Sequence, residues 1–338
     1  MQTPPLTAAL RRNFRVRLLR WYDKNRRELP WRANRDPYRV WISEIMLQQT
    51  RVTAVLDRYR DFLRRFPDVR ALARAQSNSV LAAWSGLGYY RRARLMHAAA
   101  RRIVGERGGR FPEDAAGWRE LPGIGRYTAA AIASICYDEP CAVVDGNVER
   151  VLQRVLPAQA GNRWEQAAEL LSKRRPGDFN QAFMELGALV CTPRAAKCTE
   201  CPLRRICGTA RAGVAPSSSR GARRQRAYVA CSLTVAQGKV LLVQRAADET
   251  VMPGMWELPE VPLPSPEISA SEMFSLKHAI MNTDYVVLVV LQNPDRPLPE
   301  RTRDGAGWFS AARAAKLPLT GLARKALIRA GVFRSQGK

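Results

Sequence analysis

No apolar run in these 338 residues approaches the roughly 18 that a membrane-spanning helix needs, so no membrane association is expected. The stretch from Met1 to Trp21 carries Arg11, Arg12, Arg15 and Arg17 and lacks the apolar core of a secretory signal. The cytoplasm is the expected location. Histidine is nearly missing, with only His97 and His278. His97 follows Arg91, Arg92 and Arg94 and reads as a surface or phosphate-facing residue, His278 as a core or loop residue, so neither anchors a catalytic reading. No internal repeat is visible. Acidic residues are scarce, 30 against 55 Lys and Arg, for a net charge of +25.

The excess of positive charge is uneven. Residues 1–227 hold 42 Lys and Arg against 20 Asp and Glu, a net +22, and residues 228–338 hold 13 against 10, a net +3. A basic half of this kind suits a polyanion, because neutralising phosphates releases counterions. An arginine-rich solubilising surface would look the same, so charge alone only leans towards nucleic acid. Apolar residues at 46% exclude a disordered chain. Of seven cysteines, four crowd into residues 191–207, which in a reduced compartment suggests a metal site and not a disulfide framework.

Residues 8–206 read as mostly helical. Asp36-Pro37 supplies an N-cap followed by proline at the first helical position, and Val52, Val55, Leu56, Tyr59, Phe62, Leu63 and Phe66 recur at helical spacing. Ser77 is expected to cap a short helix before Gly86 and Gly88, and another helix to run from about Tyr90 to Gly108-Gly109. Gly208–Ala227, with Pro216, three serines and Arg220, Arg223, Arg224 and Arg226, reads as a flexible basic linker. Beyond it, Tyr228–Val235 and Lys239–Arg245 flank Gln237-Gly238 as a hairpin, Tyr285–Leu291 is a strand and Leu319–Ala330 a closing helix. The fold class is therefore α plus α/β: a helical domain joined to a small mixed one.

Three constellations carry chemistry. Cys191, Cys198, Cys201 and Cys207 are separated by six, two and five residues. Four thiolates on a short segment can wrap one compact metal centre, a zinc knot or an iron–sulfur cluster; zinc knots usually pair two CxxC units, and here there is one. Leu121-Pro122-Gly123-Ile124-Gly125 precedes a helix from Arg126. Its glycines permit a tight turn that aims backbone N–H groups outward, as for a phosphate, although a plain turn between helices has the same composition. Glu44 lies inside an apolar helical run, and Asp145 follows Ala142-Val143-Val144. Burial would hold Glu44 protonated as a general acid, and two carboxylates flanking a sugar are what glycosidic cleavage requires. Each has a plainer explanation: Glu44 pairing with an arginine, Asp145 capping the next helix.

Ser43 to Thr50 (SEIMLQQT), Gly86-Leu87-Gly88-Tyr89-Tyr90, the Leu121–Gly125 hairpin, Val144-Asp145-Gly146-Asn147-Val148 and the four cysteines, in this order, closely resemble MutY-type adenine DNA glycosylases of the helix–hairpin–helix, iron–sulfur superfamily of endonuclease III. The resemblance is dense over residues 20–208 and weaker beyond. It implies a helical glycosylase domain at 1–207 with a [4Fe–4S] cluster held by Cys191, Cys198, Cys201 and Cys207 in loop 191–207, a linker at 208–227, and a Nudix-like domain at 228–338 that reads the opposite base. It further implies a monomer acting in base excision repair on double-stranded DNA with A:8-oxoguanine or A:G mispairs. Glu44 would protonate a flipped adenine and Asp145 stabilise the cationic sugar, with Tyr127 and Asn147 lining the pocket. Gln49 and Tyr89 would wedge the opened stack, while Gly123, Gly125 and Arg126 hold the DNA backbone. Bifunctional relatives have lysine where this chain has Tyr127, so a monofunctional enzyme is expected.

The Nudix-like pattern is Leu242-Val243-Gln244-Arg245, Gly254 to Pro259 and Gly307-Trp308-Phe309. Pro262, Pro264 and Pro266 replace the acidic helix that binds magnesium, which argues against phosphohydrolase activity. Members often present a Ser-His pair to 8-oxoguanine; aligned on Lys277-His278, those positions hold Met281 and Asn282. The competing readings are a mismatch thymine or uracil glycosylase and a non-catalytic iron–sulfur DNA-binding protein.

Overall fold

The computed structural model describes residues 6–157, 161–213, 225–246, 248–249, 251–263, 273–280, 282–292 and 305–333. The helices are α1 (Ala8–Asn25), α2 (Pro37–Leu47), α3 (Val52–Arg65), α4 (Val69–Arg74), α5 (Ser77–Ala83), α6 (Arg91–Arg107), α7 (Ala115–Arg119) and α8 (Arg126–Tyr137). They continue with α9 (Gly146–Val155), α10 (Arg163–Leu170), α11 (Pro176–Leu189), α12 (Gly208–Arg211), α13 (Ala311–Ala314) and α14 (Gly321–Arg329). The strands are β1 (Gln225–Ala236), β2 (Lys239–Gln244), β3 (Trp256–Glu257), β4 (Glu260–Val261), β5 (Met273–Ile280), β6 (Thr283–Gln292) and β7 (Ala306–Ser310). Among the described residues no helix is long and apolar enough to cross a membrane.

The chain forms two compact units. The first comprises residues 1–73 and 98–220, the second residues 74–97 and 221–338. In the first, Phe14 of α1 packs on Phe179 and Phe183 of α11 at centroid distances of 6.1 and 5.2 Å. Trp41 of α2 meets Trp118 at 6.0 Å and Phe111 at 6.3 Å. Fully burying such rings supplies the apolar area that holds the helices, with roughly 0.5–1.5 kcal/mol more from each ring pair. Helix α2 starts where its sequence says it should: the Asp36 carboxylate accepts the Arg39 N–H at 3.1 Å, with Pro37 next. It is buried on nearly every side, from Tyr38 to Met46 except Arg39.

The second unit is built on a sheet in the order β3-β2-β1-β6-β5, with β4 added to β1 and β7 to β2. Strands β1 and β6 run parallel, Gln225 opposite Thr283 through Thr234 opposite Gln292, and every other pairing is antiparallel. The β1–β2 hairpin turns at Gln237 and Gly238, with φ of 47° and 69°, where glycine is favoured. One sheet face buries Cys231, Leu233, Val240, Leu242, Val287 and Val289 under Ala323, Ala326 and Leu327 of α14. Residues 74–97 join this unit through specific bonds: the Tyr90 hydroxyl donates to the Leu319 carbonyl at 3.2 Å, Arg324 to the Ser85 hydroxyl at 3.0 Å, and Arg94 to the Pro253 carbonyl.

Three local expectations are corrected. Ser77 does not cap α5 but is its first residue; Gln76 occupies the cap position without a side-chain bond. His97 is 4% exposed and belongs to the interior. Gly208–Arg211, expected in the linker, is helical, and Gly208 abuts Pro157 so tightly that a Cβ would fall 2.5 Å from its Cδ.

Candidate active site

Glu44 and Asp145 line one cleft of about 580 Å³ in the first unit. Glu44 sits mid-way along the buried helix α2, 7% exposed. Tyr127, the second residue of α8, donates its hydroxyl to Glu44 Oε2 at 3.0 Å and lies 3.0 Å from Met184 Sδ. Loss of hydration pushes the Glu44 carboxyl up to about 7; the Tyr127 bond and the charge of Arg32 lower it, and the Asp145 charge raises it further. Burial first, and then Glu44 beside it, raise Tyr127 well above the usual phenol range, so it remains a donor. No ion pair with an arginine forms at Glu44 among the described contacts.

Asp145 does cap a helix. Its Oδ1 accepts the N–H groups of Asn147 and Val148 at 2.9 and 2.7 Å, opening α9, and its Oδ2 accepts from Asn147 Nδ2 at 2.8 Å. Capping and chemistry are compatible, since the bonds fix an anion at the rim of the cleft. Asn147 is oriented in turn by Arg150, whose Nη2 donates to Asn147 Oδ1 and to the Gly187 carbonyl, both at 2.8 Å. Gly187 lets α11 press on this turn: a Cβ there would fall 2.6 Å from Asn147 Cβ.

The structure adds three residues that sequence reading missed. Glu185 of α11, 2% exposed at its side chain, also lines the cleft. Arg27 donates to it through its backbone N–H at 3.0 Å and through Nε and Nη2, both at 2.8 Å. Arg32 adds Nη1 and Nη2 at 3.2 and 3.0 Å. Burial raises this carboxyl, but the Arg27 and Arg32 bonds together outweigh it and hold Glu185 down at about 2. Nothing in the local pattern around Glu185 marks it, because its partners lie about 155 residues away.

Gln49 is exposed on the same cleft with φ 56°. Tyr89, in the second unit, has φ 46° and is 46% exposed. Non-glycine residues in the left-handed region cost about 1 kcal/mol or more, and such strain gathers where a side chain must be presented. The Arg92 guanidinium holds the Tyr89 loop, donating to the Leu87 and Gly88 carbonyls at 3.0 and 3.2 Å and lying 5.5 Å from the Tyr89 ring.

The hairpin before α8 is a tight turn, with the Ile124 N–H donating to the Leu121 carbonyl at 3.2 Å and Gly123 at φ 78°. Gly125 has an ordinary φ of −87° and nothing within 4 Å of where a Cβ would stand. Neither strain nor crowding within the protein demands glycine there, whereas close approach of an external backbone would.

Cys191, Cys198, Cys201 and Cys207 line one pocket with Val151, Val155, Leu186 and Val190. Burial pushes the Cys201 thiol up to about 11 and also raises Cys207, so thiolates there need a positive partner. Arg154 Nη1 donates to Cys191 Sγ at 3.3 Å and to the Thr192 carbonyl at 2.8 Å. Among the described residues no three His, Cys, Asp or Glu side chains are gathered around a point as for a single ion; the cysteines ring a space.

Comparison with known proteins agrees with this geometry. A family model, the HhH-GPD superfamily base excision DNA repair protein, matches residues 42–176. A mouse adenine DNA glycosylase is 47% identical over 211 residues, 57% of this chain and 41% of that one. An Arabidopsis thaliana adenine DNA glycosylase is 35% identical over 299 residues, 73% of this chain and 47% of its own length. The chain thus spans less than half of either relative. A thermostable thymine-DNA glycosylase structure matches with TM-score 0.57 and 29% identity over 60% of this chain and 98% of that one. An endonuclease III–DNA complex, at TM-score 0.53 and 20% identity over 62% and 98%, shows the shared fold. By its motifs, its helical architecture and these matches, the chain carries a domain of the HhH-GPD superfamily of base excision DNA repair proteins.

Proposed function

We propose that the protein is a monofunctional adenine DNA glycosylase. The observation that carries the reading is Glu44: a carboxyl buried at the wall of a cleft, held near neutral pH in its acid form, with an anchored anion, Asp145, on the same cleft. An adenine flipped into the cleft receives the Glu44 proton on a ring nitrogen. The glycosidic bond then breaks, its electron pair leaving with the base, and Asp145 stabilises the positive charge left on the sugar. The Glu44 carboxylate, now a base, takes a proton from the water that adds to the sugar carbon. Flipping costs a few kcal/mol of stacking, which Gln49 and Tyr89 would partly return. No lysine lines the cleft among the described residues, so an amine that could form a Schiff base and cut the strand is missing from it.

Gly123, Gly125 and Arg126 are read as the DNA-backbone contact. The four cysteines are read as ligands of a [4Fe–4S] cluster: four soft donors lining one pocket with apolar walls, and an arginine N–H on one sulfur, suit it. Through Cys191, just past α11, and Cys198, Cys201 and Cys207, a bound cluster would tie the end of that helix to the turns that follow. The helical residues 1–207 would hold the chemistry, and residues 228–338 would read the opposite base. Met281 lies outside the described residues, as do Pro264 and Pro266; Asn282 is exposed, and its carbonyl accepts the Gln225 N–H at 2.9 Å. Without a Ser-His pair, the preference for 8-oxoguanine over guanine is expected to be narrow, with double-stranded DNA bound by a cytoplasmic monomer.

Single-turnover reactions on duplexes with A:8-oxoguanine, A:G, A:C, T:G and U:G test this. Adenine should be released, leaving a strand that breaks only in alkali. Release of thymine or uracil with adenine untouched would instead favour the mismatch reading, which the thymine-DNA glycosylase match keeps in view. Iron and sulfide near four each per chain are expected; one zinc and no iron would refute the cluster.

A further inference from the structure

Arg126 occupies an unfavourable place. It is the first residue of α8, where the helix dipole is positive and carboxylates, not cations, are stabilising. The first turn of α8 holds no acidic residue, and Arg126 makes no hydrogen bond or ion pair among the described residues. Its contact is with an aromatic face. The guanidinium carbon lies 4.0 Å from the Trp164 ring centroid, against 5.3–5.8 Å for the other cation–π contacts described. Trp164 is itself held: it is the second residue of α10, and its N–H donates to the capping Asn162 side chain at 2.9 Å.

Stacking uses the face of a guanidinium and leaves its in-plane N–H donors available. An unpinned arginine would lose its rotamer freedom on binding an anion, and the stack removes part of that loss beforehand. The uncrowded Gly125 lies immediately before it in the chain. We propose that Trp164 is a positioning residue of the DNA interface, its indole holding Arg126 flat at the hairpin so that the guanidinium edge meets a backbone phosphate already oriented. The inference rests on the hairpin being a DNA contact.

The test is a double-mutant cycle on the full-length protein, with a fully matched 20-base-pair duplex titrated at several salt concentrations. Arg126→Ala should weaken binding and flatten the slope of log affinity against log salt by about 0.9, one phosphate contact. Trp164→Ala should weaken binding about two- to fivefold while leaving that slope unchanged, because the charge is still present but no longer held. In the Arg126→Ala background Trp164→Ala should add nothing, and Trp164→Phe should keep most of the affinity. A simple structural defect would not distinguish between the two backgrounds, and Trp164→Leu, which also lacks the ring face, takes the place of the alanine variant if that fails to fold. Equal weakening with and without Arg126, or no weakening when Arg126→Ala is impaired, overturns the inference. An Arg126→Ala protein with unchanged affinity and slope overturns the hairpin reading itself.

Discussion

The cleft has two carboxylate walls, one on α2 and one on α11, and they behave in opposite ways. Glu44 and Glu185 are both almost inaccessible, at 7% and 2% exposed, so dehydration penalises both anions. Glu185 receives five hydrogen bonds from two arginines and stays ionised down to about 2. Glu44 receives one from a phenol and rises to about 7. Burial therefore does not set the state of a carboxyl; the donors that accompany it do. One wall holds a proton near neutral pH, and the other stays a fixed anion whose oxygens are taken up by Arg27 and Arg32.

The sharpest way to break this contrast is Glu44→Gln, which keeps the shape and removes the acid. Single-turnover adenine release should fall by about 10³-fold or more, with mispair affinity retained. If release persists near the wild-type rate, the α2 wall is structural. Next in size is Glu185→Ala, which leaves two guanidiniums without a counter-charge. Both keep some access to water, so the cost is about 2 kcal/mol and not the larger penalty of a fully buried pair, read as a lowered thermal midpoint. An unchanged midpoint would mean the α11 network is not holding its helix.

Smaller effects sharpen the comparison through pH. Because the acid form of Glu44 reacts, adenine release should decline as pH rises above about 7. Tyr127→Phe removes a bond that favours the anion, so the decline should move up by about half to one pH unit, and a downward move would contradict the assignment. The smallest signal is in stability. The contribution of Glu185, its carboxyl depressed from 4.5 to about 2, is present above 4.5 and lost as pH falls towards 2. That of Glu44, raised from 4.5 to about 7, is present below 4.5 and lost as pH rises through 7. Thermal scans from pH 3 to 8 should show Glu185→Gln less acid-sensitive than wild type and Glu44→Gln less alkali-sensitive. Parallel curves would show that the two walls are not electrostatic opposites.

What could be read from the chain beforehand was local. Asp36-Pro37, the Gln237-Gly238 turn, the Asp145 cap and the apolar frame around Glu44 are statements about neighbours a few residues apart, and the structure contains each. Glu185 with Arg27 and Arg32 was invisible, because charges in segments far apart in the chain look like ordinary surface until the fold joins them. Ser77 misled because a good capping residue says only that a cap is possible. Strands β5 and β7 went unread because no described side chain of theirs is fully buried, and what defines them is pairing with β6 and β2.

The second unit takes residues 74–97 from early in the chain and everything else from after residue 220, which has a consequence for synthesis. About 120 residues separate the two stretches. At ~5–20 residues per second, the early stretch waits roughly 8–48 seconds on the ribosome before its bonding partners, 159 to 239 residues further on, are made. During that interval Tyr90, Arg94 and Ser85 lack the Leu319, Pro253 and Arg324 groups they bond in the finished unit. The parallel β1–β6 pairing, spanning nearly sixty residues, must also close late. The yield of folded protein should therefore depend on translation speed between residues 97 and 221.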